Sequence, residues 1–316
     1  MILLAANHVG VFTALRSGPR TVAELATELG CDTRALDLLL CALVASGILD
    51  QPTSTRFGLR AALAPYLIPG TDESLDSILN HHQHLLARWV HLAQVVRTGG
   101  PAPESVSRRD DGSLRAFIWG MRDLSRRESR EVAEALPELG AVRRLLDLGG
   151  GPGTSAITFC QRWSQLHAVV FDLPNVVPMA QEEIARAGLT DRIAIRAGDY
   201  QVDSLVDAGE PRFDAVYISN IIHSLDPPET RGLLGKAVAV LAPGGLLVLK
   251  DFFLDDTRTA PAFAARFAIN MLVGTDGGKS YTWTETEALC RELGLLEFSR
   301  HTVGANSGLL AARRPG

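Results

Sequence analysis

The spacing of apolar positions divides the chain into two parts. Over residues 1 to 68 it is helical: Leu36, Leu39, Leu40, Leu43 and Val44 recur at three- and four-residue intervals. Val9 to Arg16 is apolar on one face and stops at Ser17-Gly18-Pro19. Thr21-Val22-Ala23-Glu24 reads as a capping box that opens a helix ending at Gly30. Asp32 or Thr33 caps the next helix, which Gly47 closes, and Ile48-Leu49 with Phe57-Gly58-Leu59 predict the two strands of a small wing. Residues 69 to 140 read as helical, with one amphipathic helix over 78–96 and a polar loop over 101–112. From Leu145 the pattern changes to apolar runs of strand length, at 144–148, 168–172, 193–197, 214–219 and 245–251, separated by helical stretches. Two further runs, 297–303 and 307–313, complete a seven-stranded sheet. Strand–helix alternation of this kind predicts an α/β doubly wound sheet with its ligand at the C-terminal strand ends.

At 316 residues the chain suits two domains. The boundary is set near residue 100, with a mostly α, winged-helix-like module over 1–100 and an α/β catalytic domain over 101–316. Helix, helix-turn-helix and wing is a pattern that often binds DNA. Here the charges object: residues 1–68 hold five arginines and five acids, and a groove-reading helix should be more basic. The formal charge of −5 likewise argues against nucleic acid or an anionic membrane as a main partner. The module therefore reads as structural and dimerising. Cys31, Cys41, Cys160 and Cys290 are scattered, so neither a disulfide framework nor a zinc site is expected. No secretory leader or run of membrane length is visible, which makes the cytoplasm the default location.

The most informative stretch is Arg144 to Ser155. Leu145, Leu146 and Leu148 form a short buried strand, Asp147 lies at its C-terminal end, and Gly149, Gly150, Gly151 and Gly153 let the backbone turn close to a ligand. A dinucleotide site wants a third glycine where Thr154 stands. Nineteen residues past Gly153, a second strand ends at Asp172, a carboxylate suited to accepting from both hydroxyls of a ribose. Gly198-Asp199-Tyr200 follows the third strand. The spacing of Asp147, Gly149, Gly151 and Gly153 resembles motif I of class I S-adenosyl-L-methionine methyltransferases.

Two more polar groups stand at strand ends. His223 follows the fourth strand and is a candidate general base. Asp251, ending the fifth, is placed to bond the imidazole, fix its tautomer and support the imidazolium. His81, His82 and His84 share a helix, but no acid completes a metal set, so no metal is expected. Arg126, Arg127 and Arg130 interleave with acids and read as a solvated face.

With these residues in place, the chain from Ala5 to about Ala312 resembles the dimeric plant-type O-methyltransferases, of the caffeate and acetylserotonin kind, which also occur in bacteria. The resemblance rests on Gly10-Val11-Phe12-Thr13-Ala14-Leu15, Glu24-Leu25-Ala26, Phe117 with Met121, and Asp147 to Gly153. It continues through Phe171-Asp172-Leu173-Pro174, Gly198-Asp199-Tyr200, Ile222-His223, Leu241 to Gly245 and Gly277-Gly278-Lys279. It implies a class I, Rossmann-like catalytic domain preceded by a winged-helix dimerisation domain, and a homodimer. S-adenosyl-L-methionine, leaving as S-adenosyl-L-homocysteine, is implied as cofactor, held by Asp147, Gly149, Gly151, Asp172, Leu173, Asp199, Tyr200 and Ser219. Asp172 falls to the ribose, and Asp199 with Tyr200 to the adenine. His223 matches the catalytic base and Asp251 the acid that orients it. Phe117, Met121, Asn220, Asn270 and Met271 match or adjoin substrate-pocket positions.

Three departures stand out. His223-Ser224-Leu225 replaces a common His-Asp-Trp, Ser219 replaces a lysine, and Ser280 replaces the second acidic partner of the histidine. The first two imply a bacterial branch with a reshaped pocket, and the third, Ser280, leaves one carboxylate behind the base. The chain also starts at a helix where relatives carry a further segment, which implies a smaller dimer interface. The expected reaction is methyl transfer to a hydroxyl oxygen of an aromatic or polyketide-like small molecule. Methylation of carbon or nitrogen, use of the cofactor without methylation, and a DNA-binding regulator remain the alternatives.

Overall fold

Helices form in the N-terminal region where their caps stand. Thr21 Oγ1 accepts from the Glu24 amide at 3.3 Å and Glu24 Oε2 accepts from the Thr21 amide at 2.7 Å, closing the expected capping box. Asp32, not Thr33, caps the following helix, its Oδ1 accepting from the Ala35 amide at 2.8 Å. The structure, a computed structural model, describes residues 1–71, 73–103 and 111–316. In order these give α1 (Ile2–Val9), α2 (Val11–Ala14), β1 (Arg20–Thr21), α3 (Val22–Leu29), α4 (Thr33–Ala45), β2 (Leu49–Thr53), β3 (Arg56–Leu59), α5 (Ala64–Leu67), α6 (Asp76–Trp89), α7 (Leu92–Thr98) and α8 (Asp111–Ala135). There follow β4 (Arg144–Leu148), α9 (Thr154–Arg162), β5 (His167–Asp172), α10 (Val177–Arg186), β6 (Ile193–Ala197), β7 (Phe213–Ser219), α11 (Pro227–Val240), β8 (Leu241–Asp251), α12 (Ala262–Gly274), α13 (Trp283–Glu292), β9 (Leu296–Val303) and β10 (Ser307–Arg313).

The chain divides into two units, Met1–Ala87 with Arg109–Asp123, and Arg88–Arg108 with Leu124–Gly316. In the first, Phe12, Leu25, Leu36, Leu40, Leu43 and Phe57 form a buried core. The wing has a third strand, since β1 joins β3 and β2 in an antiparallel sheet ordered β1-β3-β2. The helix expected over 78–96 is two helices. Between α6 and α7 the backbone bonds tighten to three-residue spacing, His91 N to Arg88 O at 3.0 Å and Gln94 N to His91 O at 2.9 Å. Residues 104–110 of the expected polar loop lie outside the described residues, and α8 already begins at Asp111.

The second unit contains the seven-stranded sheet, in the order β6-β5-β4-β7-β8-β10-β9. Neighbours from β6 to β8 are parallel, while β10 runs antiparallel between β8 and β9. Strand order reverses beside β4, which opens a crevice at the C-terminal ends of β4 and β7. Alternate residues feed two cores. Leu145, Tyr217, Val248 and Leu309 pack with Val132, Phe159 and Ile184 on one face. Leu146, Ile218, Leu249 and Leu310 pack with Leu233, Phe253 and Tyr281 on the other. A strand buried on both faces reads as a continuous apolar run, which is why these strands stood out in the sequence.

Gly308 on β10 lies opposite Asp251 on β8. A Cβ there would stand 2.5 Å from Trp283 and 2.7 Å from Phe253, two rings stacked with centroids 4.3 Å apart. Gly308→Ala is expected to cost about 1–3 kcal/mol through this overpacking, read as a lower urea midpoint.

Candidate active site

The loops that leave β4, β6 and β7 are latched to neighbouring strands by backbone bonds one residue beyond the ladder. Gly149 N donates to Phe171 O at 2.8 Å, Gly198 N to Asp172 O at 2.9 Å, and Asn220 N to Lys250 O at 2.8 Å. Each loop thus starts from a fixed point, and the polar residues of the motifs gather along one edge of the sheet. Gly149 has φ +69° and Gly151 φ +56°, and a Cβ on Gly149 would meet Ile221 Cδ1 at 2.6 Å. A side chain is excluded there on both counts.

Asp172 closes the glycine turn. Its Oδ2 accepts from Gly151 N and its Oδ1 from Leu173 N, both at 2.7 Å. Each oxygen keeps further lone-pair capacity. Burial raises the pKa of its carboxyl, and the two N–H donors oppose the rise. Asp147 is buried under the same turn, with Oδ2 accepting from Ala156 N at 3.2 Å. Burial raises its pKa to about 7, against the Ala156 N–H and with the negative charge of Asp172. Thr154, at the start of α9, holds a buried Oγ1 with no hydrogen-bond partner among the described residues. Asp199 caps its own turn by accepting from Gln201 N at 2.8 Å. Lys236 secures that turn by donating to the carbonyls of Tyr200, Gln201 and Asp203 at 2.7, 2.9 and 3.1 Å. Burial pushes the Tyr200 phenol up to about 12. Leu173 is exposed.

On the other side of the crevice, the turn Ile222–Ser224 carries His223 into the interior. His223 Nδ1 is 2.7 Å from Asp251 Oδ1, and Asp251 Oδ2 takes the His223 amide at 3.4 Å. Phe252 N donates to Asp251 Oδ1 at 2.7 Å and fixes the carboxylate. Phe267 of α12 meets the imidazole edge-on at 4.8 Å, and Phe252 stacks at 6.0 Å. Ser280 Oγ donates to Ala264 O at 2.8 Å.

Ten of the expected site residues therefore share the C-terminal edge of the sheet: Asp147, Gly149, Gly151, Asp172, Asp199, Tyr200, Ser219, Asn220, His223 and Asp251. Asn270 and Met271 lie on α12, the helix whose Phe267 packs on His223. Asn270 Oδ1 accepts from Trp89 Nε1 at 3.1 Å. Phe117 and Met121 lie in the first unit, where Phe117 packs against His81 at 5.1 Å. The sequence reading missed the cluster of Phe252, Phe263 and Phe267. The four-residue spacing of Phe263 and Phe267, with Phe252 directly after Asp251, was the available signal. Among the described residues, no group of three or more His, Cys, Asp or Glu is arranged to hold a metal ion.

Residues 86–295 match the O-methyltransferase domain family and residues 1–64 the O-methyltransferase dimerisation domain. The chain is 33% identical to a 3-hydroxy-5-methyl-1-naphthoate 3-O-methyltransferase of Streptomyces sahachiroi, over 96% of this chain and 89% of the relative. It is 26% identical to an L-tyrosine C(3)-methyltransferase of Streptomyces lavendulae, over 90% of this chain and 80% of the relative. Human N-acetylserotonin methyltransferase, solved in complex with SAM, superposes with a TM-score of 0.89 at 25% identity, covering 100% of this chain and 93% of that one. The chain belongs to the S-adenosyl-L-methionine-dependent O-methyltransferase family. It is an enzyme with that cofactor, built on the class I fold with a dimerisation domain at its N-terminus.

The raised pKa of Asp147 sets a pH dependence. Folded, the carboxyl keeps its proton up to about pH 7, whereas unfolded it loses it near 3.8. The folded state therefore binds more protons between these values, and stability falls as pH rises through that window. Relative to Asp147→Asn, the cofactor-free wild type is expected to lose on the order of 4 kcal/mol between pH 4 and 7, measured by urea unfolding.

Proposed function

We propose that the enzyme transfers the methyl group of S-adenosyl-L-methionine to a hydroxyl oxygen of an aromatic or polyketide-like small molecule of bacterial secondary metabolism, with His223 as general base. The observation that carries this reading is the buried His223–Asp251 pair at the cofactor edge of the sheet. The residues there fit the cofactor: a glycine turn closed to side chains, a buried threonine hydroxyl without a partner among the described residues, and a carboxylate with lone pairs to spare. Asp172 would hold the ribose hydroxyls, Asp199 and Tyr200 would flank the adenine, and Asp147, Gly149, Gly151, Leu173 and Ser219 would shape the rest. Bound there, the cofactor supplies a sulfonium that makes its methyl electrophilic.

The chain's own work is deprotonation and alignment. With Nδ1 engaged by Asp251, Nε2 of His223 is the nitrogen left to accept the acceptor's proton. With that proton on Nε2, Asp251 would support the imidazolium and leave the acceptor oxygen free to face the electrophilic methyl that the cofactor would supply. A phenol titrates near ~10, so a base is useful at neutral pH. Phe252, Phe263 and Phe267 offer an apolar wall beside the base for a flat ring.

A second reading follows from the C(3)-methyltransferase relative and from Ser280, which is bonded to Ala264 O and leaves one carboxylate on the imidazole. A phenolate exposes its ortho carbon as well as its oxygen, so the same base suits C-methylation if the ring is turned. Product analysis by mass spectrometry and NMR with labelled cofactor separates the two.

We also assign the chain to a homodimer through its N-terminal module, where Met1, Ile2 and Leu38 are exposed apolar side chains. Light scattering at micromolar concentration is expected to give twice the chain mass; an active monomer contradicts it. Asp172→Ala is expected to weaken S-adenosyl-L-methionine binding at least about tenfold in calorimetry, and unchanged affinity rejects the ribose role. His223→Ala is expected to cut turnover by on the order of 10²–10⁴ with cofactor affinity nearly intact. Asp251→Asn should lose a large part of that and the double variant little more than His223→Ala. Wild-type turnover by His223→Ala across roughly pH 6–9 removes the base assignment.

A further inference from the structure

We propose that Lys250, held by Glu128, is a positioning residue that sets the turn carrying His223. The proposal rests on the reading of His223 as base. Lys250 is one residue before Asp251 on β8, and strand alternation sends its side chain to the opposite face, among Tyr217, Val248 and Leu309. Its relative exposure is 2%, a position that an apolar residue would fill without needing any partner. The ammonium instead meets Glu128 Oε2 of α8 at 2.5 Å and Asn220 Oδ1 at 3.5 Å. Glu128 Oε1 in turn accepts from Ser307 Oγ at 2.9 Å, so the pair also spans to the start of β10.

Asn220 is what makes the contact consequential. It ends β7 with φ +56°, a left-handed conformation that non-glycine residues seldom adopt, and three residues later comes His223. Among the described residues two bonds hold it there, and both come from Lys250: the Lys250 carbonyl takes its amide at 2.8 Å and the Lys250 ammonium faces its side-chain oxygen. One residue thus fixes both the backbone and the side chain of the turn, while its neighbour Asp251 fixes the imidazole at the turn's end. Loss of the ammonium should let the turn relax and displace His223 more than it disturbs the glycine loop, which the turn meets only through Ile221 beside Gly149.

The test measures kcat, S-adenosyl-L-methionine affinity by calorimetry and Tm for Lys250→Met, for Lys250→Met with Glu128→Gln, and for Asn220→Gly. Glu128→Gln removes the second charge and leaves Ser307 its acceptor. Lys250→Met is expected to lower Tm and to lower kcat on the order of 10- to 100-fold, with cofactor affinity within about threefold of wild type. The double variant, freed of the orphaned carboxylate, should recover Tm but not kcat. Asn220→Gly keeps the left-handed backbone without the anchor, so it should lower kcat and make Lys250→Met cost nothing more. If Lys250→Met does not fold, the double variant and Asn220→Gly carry the test. Recovery of kcat together with Tm, a fall in cofactor affinity in step with kcat, or wild-type kcat in Asn220→Gly overturns the proposal. In a His223→Ala background Lys250→Met should have no further effect on kcat; a persisting effect also overturns it. Failure of the base reading is seen separately, as wild-type turnover by His223→Ala with lysine still at 250.

Discussion

The end of β8 imposes the constraint on which the rest of the site depends. A strand alternates its side chains between faces, so the neighbours Lys250 and Asp251 deliver opposite charges to opposite sides of one sheet. Neither charge is accessible to water. An isolated buried charge costs several kcal/mol, and breaking a buried pair from one side typically costs ~3–5 kcal/mol. Each therefore demands a partner from the element packed on its face: Glu128 of α8 for Lys250, and His223 with the Phe252 amide for Asp251. The demand runs both ways. The turn after β7 has to place Asn220 over one face and His223 over the other, and the positive φ at Asn220 is how the backbone changes direction between them. Such a conformation costs of order 1–3 kcal/mol and persists where surroundings over-determine it.

The glycine loop follows the same logic with shape in place of charge. Gly149 leaves room for Ile221, a neighbour of the Asn220 turn, and Gly198 leaves room for the Phe171 ring, which a Cβ would meet at 2.5 Å. The glycine loop and the turn that carries His223 are thus in contact through Ile221 and share packing within one unit.

Much of this was legible in the sequence. Continuous apolar runs located the central strands of the large sheet, because burial on both faces removes any polar interruption, while the edge strand β9 is mixed in sequence and largely exposed; caps such as Thr21–Glu24 and Asp32 marked helix starts. The candidate site residues at strand ends stood out because each is a polar residue closing an apolar run. The third wing strand was not, since two residues, Arg20–Thr21, carry no period. The break between α6 and α7 was hidden because the amphipathic pattern continues through Val90 and His91. Lys250 stayed invisible for a different reason. In sequence it reads as a polar strand end beside Asp251, and its partner Glu128 lies among charges that resemble a solvated helical face. Pairing across 122 positions is a property of the fold, not of any local pattern.

Ser280 bears on the surroundings of His223. In the resembling family an acid at this position is a second partner of the histidine; here the hydroxyl donates to Ala264 O, a carbonyl in the first turn of α12. Ser280 is thus a staple on the helix that brings Phe263 and Phe267 beside His223. The imidazole is left with a single carboxylate and an aromatic wall. The apolar wall lowers the local dielectric around the one pair that remains, so the 2.7 Å contact between His223 and Asp251 carries the orientation of the ring by itself.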